Sequence, residues 1–323
     1  MLVAYEVHSG HLASSTGLDK LPAKPVWIDL AFPTPDEDAA IEKLLGIDIP
    51  TRAEMREIEV SNRLYTEQGA VFMTALVGHS IDSGAPQFTS MTFILARSAL
   101  VTVRYAEPKS FPLFVSRAEK GEAPVGTPVT ILAGLLETMV QRKADLIESI
   151  QDEVNRIGSV IFEIKGGQQT RSKRLDVALR TIGRLGEQAS RSEESANSMD
   201  RLLIYLLQAM NTRKDPDEDI QRVEVVRRDI SSLLDQLNYL SERLTFLLQA
   251  VLGMISIEQN QIIKLFSVMA VLLMPPTLVA SIYGMNFKHM PEIDWVFGYP
   301  LALIAMLILA MIPYAIFKRR GWL

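Results

Sequence analysis

Cysteine is missing from all 323 residues, which excludes a disulfide framework, a thiolate metal site and a cysteine nucleophile. Also missing are the G-x-x-x-x-G-K-[ST] loop that cradles nucleotide phosphates and the H-E-x-x-H pair of zinc hydrolases, so the chain does not read as an enzyme. Basic residues are not in excess: 33 Lys and Arg are set against 38 Asp and Glu, a net charge of −5, which argues against a general nucleic-acid partner. The opening stretch MLVAYEVHSGHLASS has no basic segment followed by an apolar one, so no secretory signal is expected and the body is expected to stay where it is made.

Charge itself is absent from two stretches near the C-terminal end. No Asp, Glu, Lys or Arg occurs from Leu265 to Phe287 or from Val296 to Phe317. A bilayer crossing needs about 20 consecutive apolar residues, so 265–283 and 296–317 are expected to form a helical hairpin through a membrane, joined by the loop 284–295. Concentrating the apolar residues there makes mean hydropathy slightly positive and implies a soluble body on a membrane anchor. Lys318, Arg319 and Arg320 follow the second span, whereas the loop sets Lys288 against Glu292 and Asp294. The positive-inside rule then places the tail, and with it the N-terminal body, in the cytoplasm.

The body has two textures. Residues 1–126 mix strand-length runs rich in Val, Ile, Thr and aromatics (PVWIDL, AVFMTALVG, MTFILA, ALVTVRY) with turn residues, and ARSAL reads as a hairpin connection. Between them TPDEDAAIEKLLG offers Thr34 as N-cap, Pro35 at the first helical position, Glu37 to complete a capping box and Gly46 as the stop; Thr51 and Glu54 repeat the box. Residues 1–126 are therefore expected to be a cytoplasmic α/β domain. Residues 127–264 are expected to be a helical stalk region, broken at Gly166-Gly167 and around Pro216. No proline interrupts Asp217 to Met274, so one helix would run roughly 85 Å at 1.5 Å per residue. The charges along its first half read most simply as a solvated face.

On the first span, Ile263, Ser267, Ala270, Met274, Thr277, Ser281 and Met285 fall within about 40° of one line. This stripe holds the span's Ser and Thr residues and runs toward Asn286. It reads equally as a helix–helix seam or as the lining of a pore, and a pore would need several copies of the chain to enclose it. Apart from Tyr, neither span has an ionisable group, which argues against proton coupling at membrane depth. A ring of Asn286 amides at the outer mouth would offer neutral acceptors to a hydrated ion such as Mg²⁺, which gives up water reluctantly. Neutral acceptors also bind weakly enough to let the ion leave.

The run Tyr283-Gly284-Met285-Asn286-Phe287, then Met290-Pro291-Glu292, then FGYP, then a basic tail closing GWL, resembles the CorA family of magnesium transporters, its proteobacterial members most of all. IEQNQIIKLFSV and PPTLVASIYGMNF in the first span share the resemblance, as do WIDL, PT and EMREIEVSNRLY upstream.

The resemblance implies a funnel-shaped homopentamer in the inner membrane. In it a cytoplasmic α/β domain precedes long stalk helices and a two-helix hairpin, both termini are cytoplasmic, and the tail 318–323 is basic. It implies Mg²⁺ influx, with Co²⁺ and Ni²⁺ as further cargo, no resident cofactor, and closure by regulatory Mg²⁺ bound between cytoplasmic subunits. Carried over by motif position, Gly284, Met285 and Asn286 form the selectivity filter, with Asn286 meeting hydrated Mg²⁺ and Glu292 in the entrance loop. Thr277, Met274 and Ala270 line the pore, and Phe266 and Ile263 form a hydrophobic gate. Phe266 lies about 60° off the stripe, so its role rests on the resemblance.

Lys288 and His289 stand where relatives commonly carry an acid, which weakens cation attraction at the mouth. For the regulatory sites, Asp176, Glu224 and Asp229 are candidates whose simpler reading is a solvated surface. The competing functions are a Zn²⁺ or other transition-metal transporter of the same superfamily and a two-span signalling or scaffold protein.

Overall fold

The computed structural model describes residues 1–57, 59–81, 86–162, 168–285, 290 and 295–322. It divides into two compact units, Met1–Glu163 with Ala178–Leu247 and Ile164–Val177 with Leu248–Leu323.

The first unit is built on a seven-stranded sheet: β1 (Leu2–His8), β2 (His11–Thr16), β3 (Trp27–Ala31), β4 (Leu64–Glu67), β5 (Ala70–His79), β6 (Gln87–Leu95) and β7 (Leu100–Arg104), in the order β2-β1-β3-β7-β6-β5-β4. Only β3 and β7 pair in parallel. Strands buried on both faces lose the alternation of a half-exposed strand, which is why WIDLA is buried throughout. The four expected runs are β3, β5, β6 and β7, and ARSAL joins the antiparallel pair β6–β7. The β1–β2 hairpin and β4 were not foreseen. β2 and β4 lie at the sheet's edges, where a strand with little apolar content can still pair.

One face of the sheet packs Leu2, Ile28, Leu30, Phe72, Ile94, Val101 and Val103 with Ile41 of α1 (Pro35–Leu45). The capping box forms: Glu37 N donates to Thr34 Oγ1 at 3.4 Å, and Thr34 N donates to Glu37 Oε2 at 3.0 Å. Gly46 ends the helix in the left-handed region at φ 67°. Thr51 and Glu54 make the same reciprocal bonds, but they open only a single 3₁₀ turn, Glu54–Arg56. A short helix α2 (Val60–Arg63) leads into β4.

On the other face Trp27 meets Phe111 and Phe114 of α3 (Ser110–Glu119), with ring centroids 6.0 and 5.9 Å away. Its Nε1 donates to Thr102 Oγ1 at 3.0 Å, and Thr102 donates to Asp29 Oδ1 at 2.7 Å. Arg104 closes the network on Asp29, with Nη2 2.8 Å from Oδ2. The buried charges are thus paired and hydrogen-bonded, as burial requires.

Three long helices follow: α4 (Pro128–Phe162), α5 (Gln168–Arg213) and α6 (Asp217–Tyr283). The break expected at Pro216 separates α5 from α6; Gly166-Gly167 lies outside the described residues. α4 and α6 run parallel, since Thr130 Oγ1 donates to Asp219 Oδ1 at 3.0 Å near their starts and Gln236 Nε2 donates to Gln151 Oε1 at 2.6 Å farther along. α5 runs antiparallel to both and is tied by Glu153–Arg184 and Asp200–Arg227. In the first unit α6 buries Val223, Val226, Ile230, Leu233, Leu237, Leu240, Leu244 and Leu247. These steps alternate three and four residues, the heptad seam of packed parallel helices.

Candidate functional site

The second unit carries the charge-free part of α6 and α7 (Gly298–Arg319), the two helices among the described residues that are long and apolar enough to cross a membrane. α6 passes unbroken through Pro275 and Pro276. Each proline removes a helical donor, and membrane helices tolerate this where neighbouring groups re-satisfy the backbone. Next to them the Thr277 hydroxyl turns back and donates to Leu273 O at 2.7 Å.

Exposure divides the first span into two faces. Its covered or half-covered positions are Lys264, Val268, Leu272, Pro275, Pro276 and Val279. Every residue of the expected stripe, Ile263, Ser267, Ala270, Met274, Thr277, Ser281 and Met285, is exposed. The two faces lie roughly two-fifths of a turn apart at 3.6 residues per turn. Within one chain, then, the stripe is not the seam. It belongs to the surface the chain leaves uncovered, with Ile263 at 61% and Met274 at 69% exposed, a surface that also takes in Leu265, Met269 and Leu273 on other sides of the helix. Phe266, off the stripe, is exposed at 63%.

At the end of α6 Gly284 N donates to Ala280 O at 3.0 Å, and Met285 N donates to Ile282 O at 3.2 Å. A Cβ at Gly284 would lie 3.1 Å from Ala280 O, so the helix end is tight where the motif begins. Asn286, Lys288, His289 and Glu292 lie outside the described residues.

At the opposite end of the pair, the tail returns to α6. Lys264 Nζ donates to Gly321 O at 3.3 Å and sits 5.3 Å from the Trp322 ring, which stacks on Phe317. Lys318 and Arg319 complete α7 rather than extending beyond it.

Residues 22–319 match the family described as CorA-like Mg2+ transporter protein. The chain belongs to the CorA-like family. It is 33% identical over 324 residues to the Magnesium transport protein CorA of Escherichia coli (strain K12), covering 100% of both chains. It is 34% identical over 325 residues to the protein of that name from Yersinia pseudotuberculosis, again covering 100% of both. Among solved structures, the CorA magnesium transporter from Methanocaldococcus jannaschii superposes with a TM-score of 0.77 at 18% identity, covering 100% of this chain and 99% of that one. At that identity the likeness shows a shared fold: an N-terminal α/β domain, long helices and a C-terminal apolar helix.

Two features of this CorA-like chain bear on regulation. Glu224 and Asp229 on α6 and Asp176 on α5 are exposed, and among the described residues no group of three or more His, Asp or Glu is placed to hold a metal ion. Lys143 of α4, not among the residues expected to be functional, is buried, as are Ser192, Ser195 and Ser198 of α5. Its signal was a lysine falling in line with the apolar positions Met139, Val140, Leu146 and Ile147.

Proposed function

We propose that the chain assembles as a homopentamer in the inner membrane, with both termini cytoplasmic. It admits Mg²⁺, and also Co²⁺ and Ni²⁺, down the membrane potential. The observation that carries this reading is the uncovered stripe on α6, which holds the span's Ser and Thr side chains and leads into the Gly284-Met285-Asn286 motif. A single helix cannot enclose water, so a face left open by its own chain supports closure by other copies.

Thr277 suits a hydrated cation. Its proton is committed to Leu273 O, so toward the pore its oxygen presents lone pairs that accept from the ion's water shell. Met274 and Ala270 line the path below, and Ile263 and Phe266 narrow it with apolar side chains that exclude water when close together. At the outer end Asn286 amides bind the hydrated ion without stripping it, with Glu292 in the entrance loop. A divalent ion entering down a potential of about 100 mV, inside negative, gains about 4.6 kcal/mol, so no nucleotide is needed. Mg²⁺ held by cytoplasmic acids closes the pore by favouring the shut state.

The test is Mg²⁺ flux into proteoliposomes with and without an imposed potential, using the full chain and Asn286→Ala. Potential-driven flux lost in the variant is expected; unchanged uptake would sink the reading. Competition by Co²⁺ without comparable competition by Zn²⁺ separates it from transition-metal transport.

A further inference from the structure

Lys143 is 4% exposed, midway along α4. Its ammonium donates to Ser195 Oγ at 2.6 Å, and Phe88 presents its ring 5.9 Å away. Ser195 is itself committed, donating to Leu76 O at 2.6 Å, while Ser198 Oγ accepts from Leu76 N at 3.0 Å. These serines cap β5 beyond the end of its pairing with β4 at Met73. An ammonium has three donors, and among the described residues Lys143 has this single hydroxyl as its acceptor.

The remaining donors face a cavity of about 20 Å³ between β5, the start of α3, α4 and α5. About 10–15 Å³ by this measure admits one water, so the space suits one or two waters or a single monatomic ion. Its lining includes Lys143 and, around it, Lys109 at the start of α3 and Arg142 from α4, each engaged with partners of its own, and His79 from β5, which burial keeps toward the neutral imidazole. No carboxylate is among the described lining residues; Arg142 reaches Asp145 outside it, at 2.8 Å. Lys109 and Ser110 bring the start of α3, the positive end of a ten-residue helix, to the same space; Phe111 N already donates to Pro108 O and Pro112 has no N–H, so Ser110 N is the amide this turn can offer.

We propose that this cavity is a site for a small monovalent anion, chloride being the natural occupant, held by Lys143 and the α3 N-terminus. An isolated buried ammonium costs several kcal/mol in lost hydration, and it escapes that cost either by losing its proton or by taking a counter-ion. Burial lowers Lys143 to about 7, so near neutrality both routes are open, and an anion selects the charged form. The bound ion would bridge β5, α3 and α4, giving the cytoplasmic unit a stability that depends on anion concentration. This site is independent of the pore.

The test uses the full chain in detergent, with sodium chloride exchanged for sodium gluconate at constant ionic strength, on the acidic side of Lys143's titration. Chloride is expected to raise the melting temperature saturably by several degrees in the native chain and not in Lys143→Met, which keeps the length of the side chain. Crystals grown in bromide should show an anomalous peak within hydrogen-bond reach of Lys143 Nζ, a readout that stands even if the variant does not fold. No chloride dependence in the native chain, an undiminished one in Lys143→Met, or no bromide peak overturns the proposal.

Discussion

α6 obeys opposite rules in its two halves. From Val223 to Leu247 it hides its apolar residues at heptad spacing and shows Glu224, Arg227, Arg228 and Asp229. From Ile263 onward it shows Phe266, Leu273, Met274 and Leu278. In water, burying apolar area is the main driving force. Lipid tails are as apolar as Leu and remove that force, leaving small and hydroxyl side chains to distinguish one face from another. The same backbone therefore reports its function through what it buries in the first half and through what it leaves open in the second.

The sharpest way to break this contrast is to put one polar residue into each half. Leu240→Asn places an amide where the native residue is fully buried. Lost packing and an unsatisfied polar group should together cost about 3–5 kcal/mol in chemical denaturation. Met274→Asn, on the uncovered stripe, should shift stability by less than about 1 kcal/mol while changing Mg²⁺ uptake. Equal melting behaviour in the two variants would mean that the halves do not differ in this way.

Much of the molecule was legible because strong local patterns agreed with tertiary demands. The Thr34 box, the stop at Gly46, the break at Pro216 and both apolar spans follow from residues close in sequence. Less legible were features whose cause is distant. Thr51 and Glu54 have the spacing of a helix start, yet the chain leaves the turn after Arg56. The β1–β2 hairpin is held by pairing with β3 rather than by its own apolar pattern. Lys143 stands in line with the apolar positions of α4, but that spacing does not show its partner: Ser195, 52 residues away in sequence, reaches its ammonium only in the fold. The stripe itself was visible by angle alone, but only the exposures of a folded hairpin separate an open face from an internal seam.

The next contrast is between a buried charge and the solvated ones. Burial lowers the Lys143 ammonium to about 7 from its ordinary 10.5. Between those values the unfolded chain holds a proton that the folded chain has released. Stability should therefore rise with pH from about 7 upward, by about 1 kcal/mol per pH unit at its steepest, and the full cost of the buried charge is present below 7. Lys143→Met should flatten that slope and stabilise the chain by about 1–4 kcal/mol near neutrality, since apolar replacements of buried charge often do. Melting curves across pH check both. A slope that survives the substitution would assign the titration to another group.

A smaller effect probes the close packing of α3 on α4. A Cβ on Gly134 would lie 2.6 Å from Phe114 Cε2, and Phe114 is buried against Trp27. The ring has little room to yield, so Gly134→Ala should cost about 1–3 kcal/mol despite its better helix propensity. Adding Phe114→Leu should recover part of that loss. If Gly134→Ala stabilised the chain instead, the contact would be looser than the geometry indicates.

The smallest change in stability is expected from Thr277→Val, which removes one hydroxyl and keeps the side chain's shape. The lost bond runs to Leu273 O within the same helix. Hydrogen bonds between membrane helices are worth about 0.6 kcal/mol on average, and this one, within a single helix, ties no second element, so the melting temperature should barely move. Transport is expected to respond more, falling several-fold, because the hydroxyl oxygen that accepts from the ion's water shell is replaced by a methyl group. Flux and melting measured on one preparation decide the matter. Unchanged flux would place Thr277 off the ion's path, and flux and stability falling together would make its role structural, so only a loss of flux at constant stability marks the open face of α6 as the conducting one.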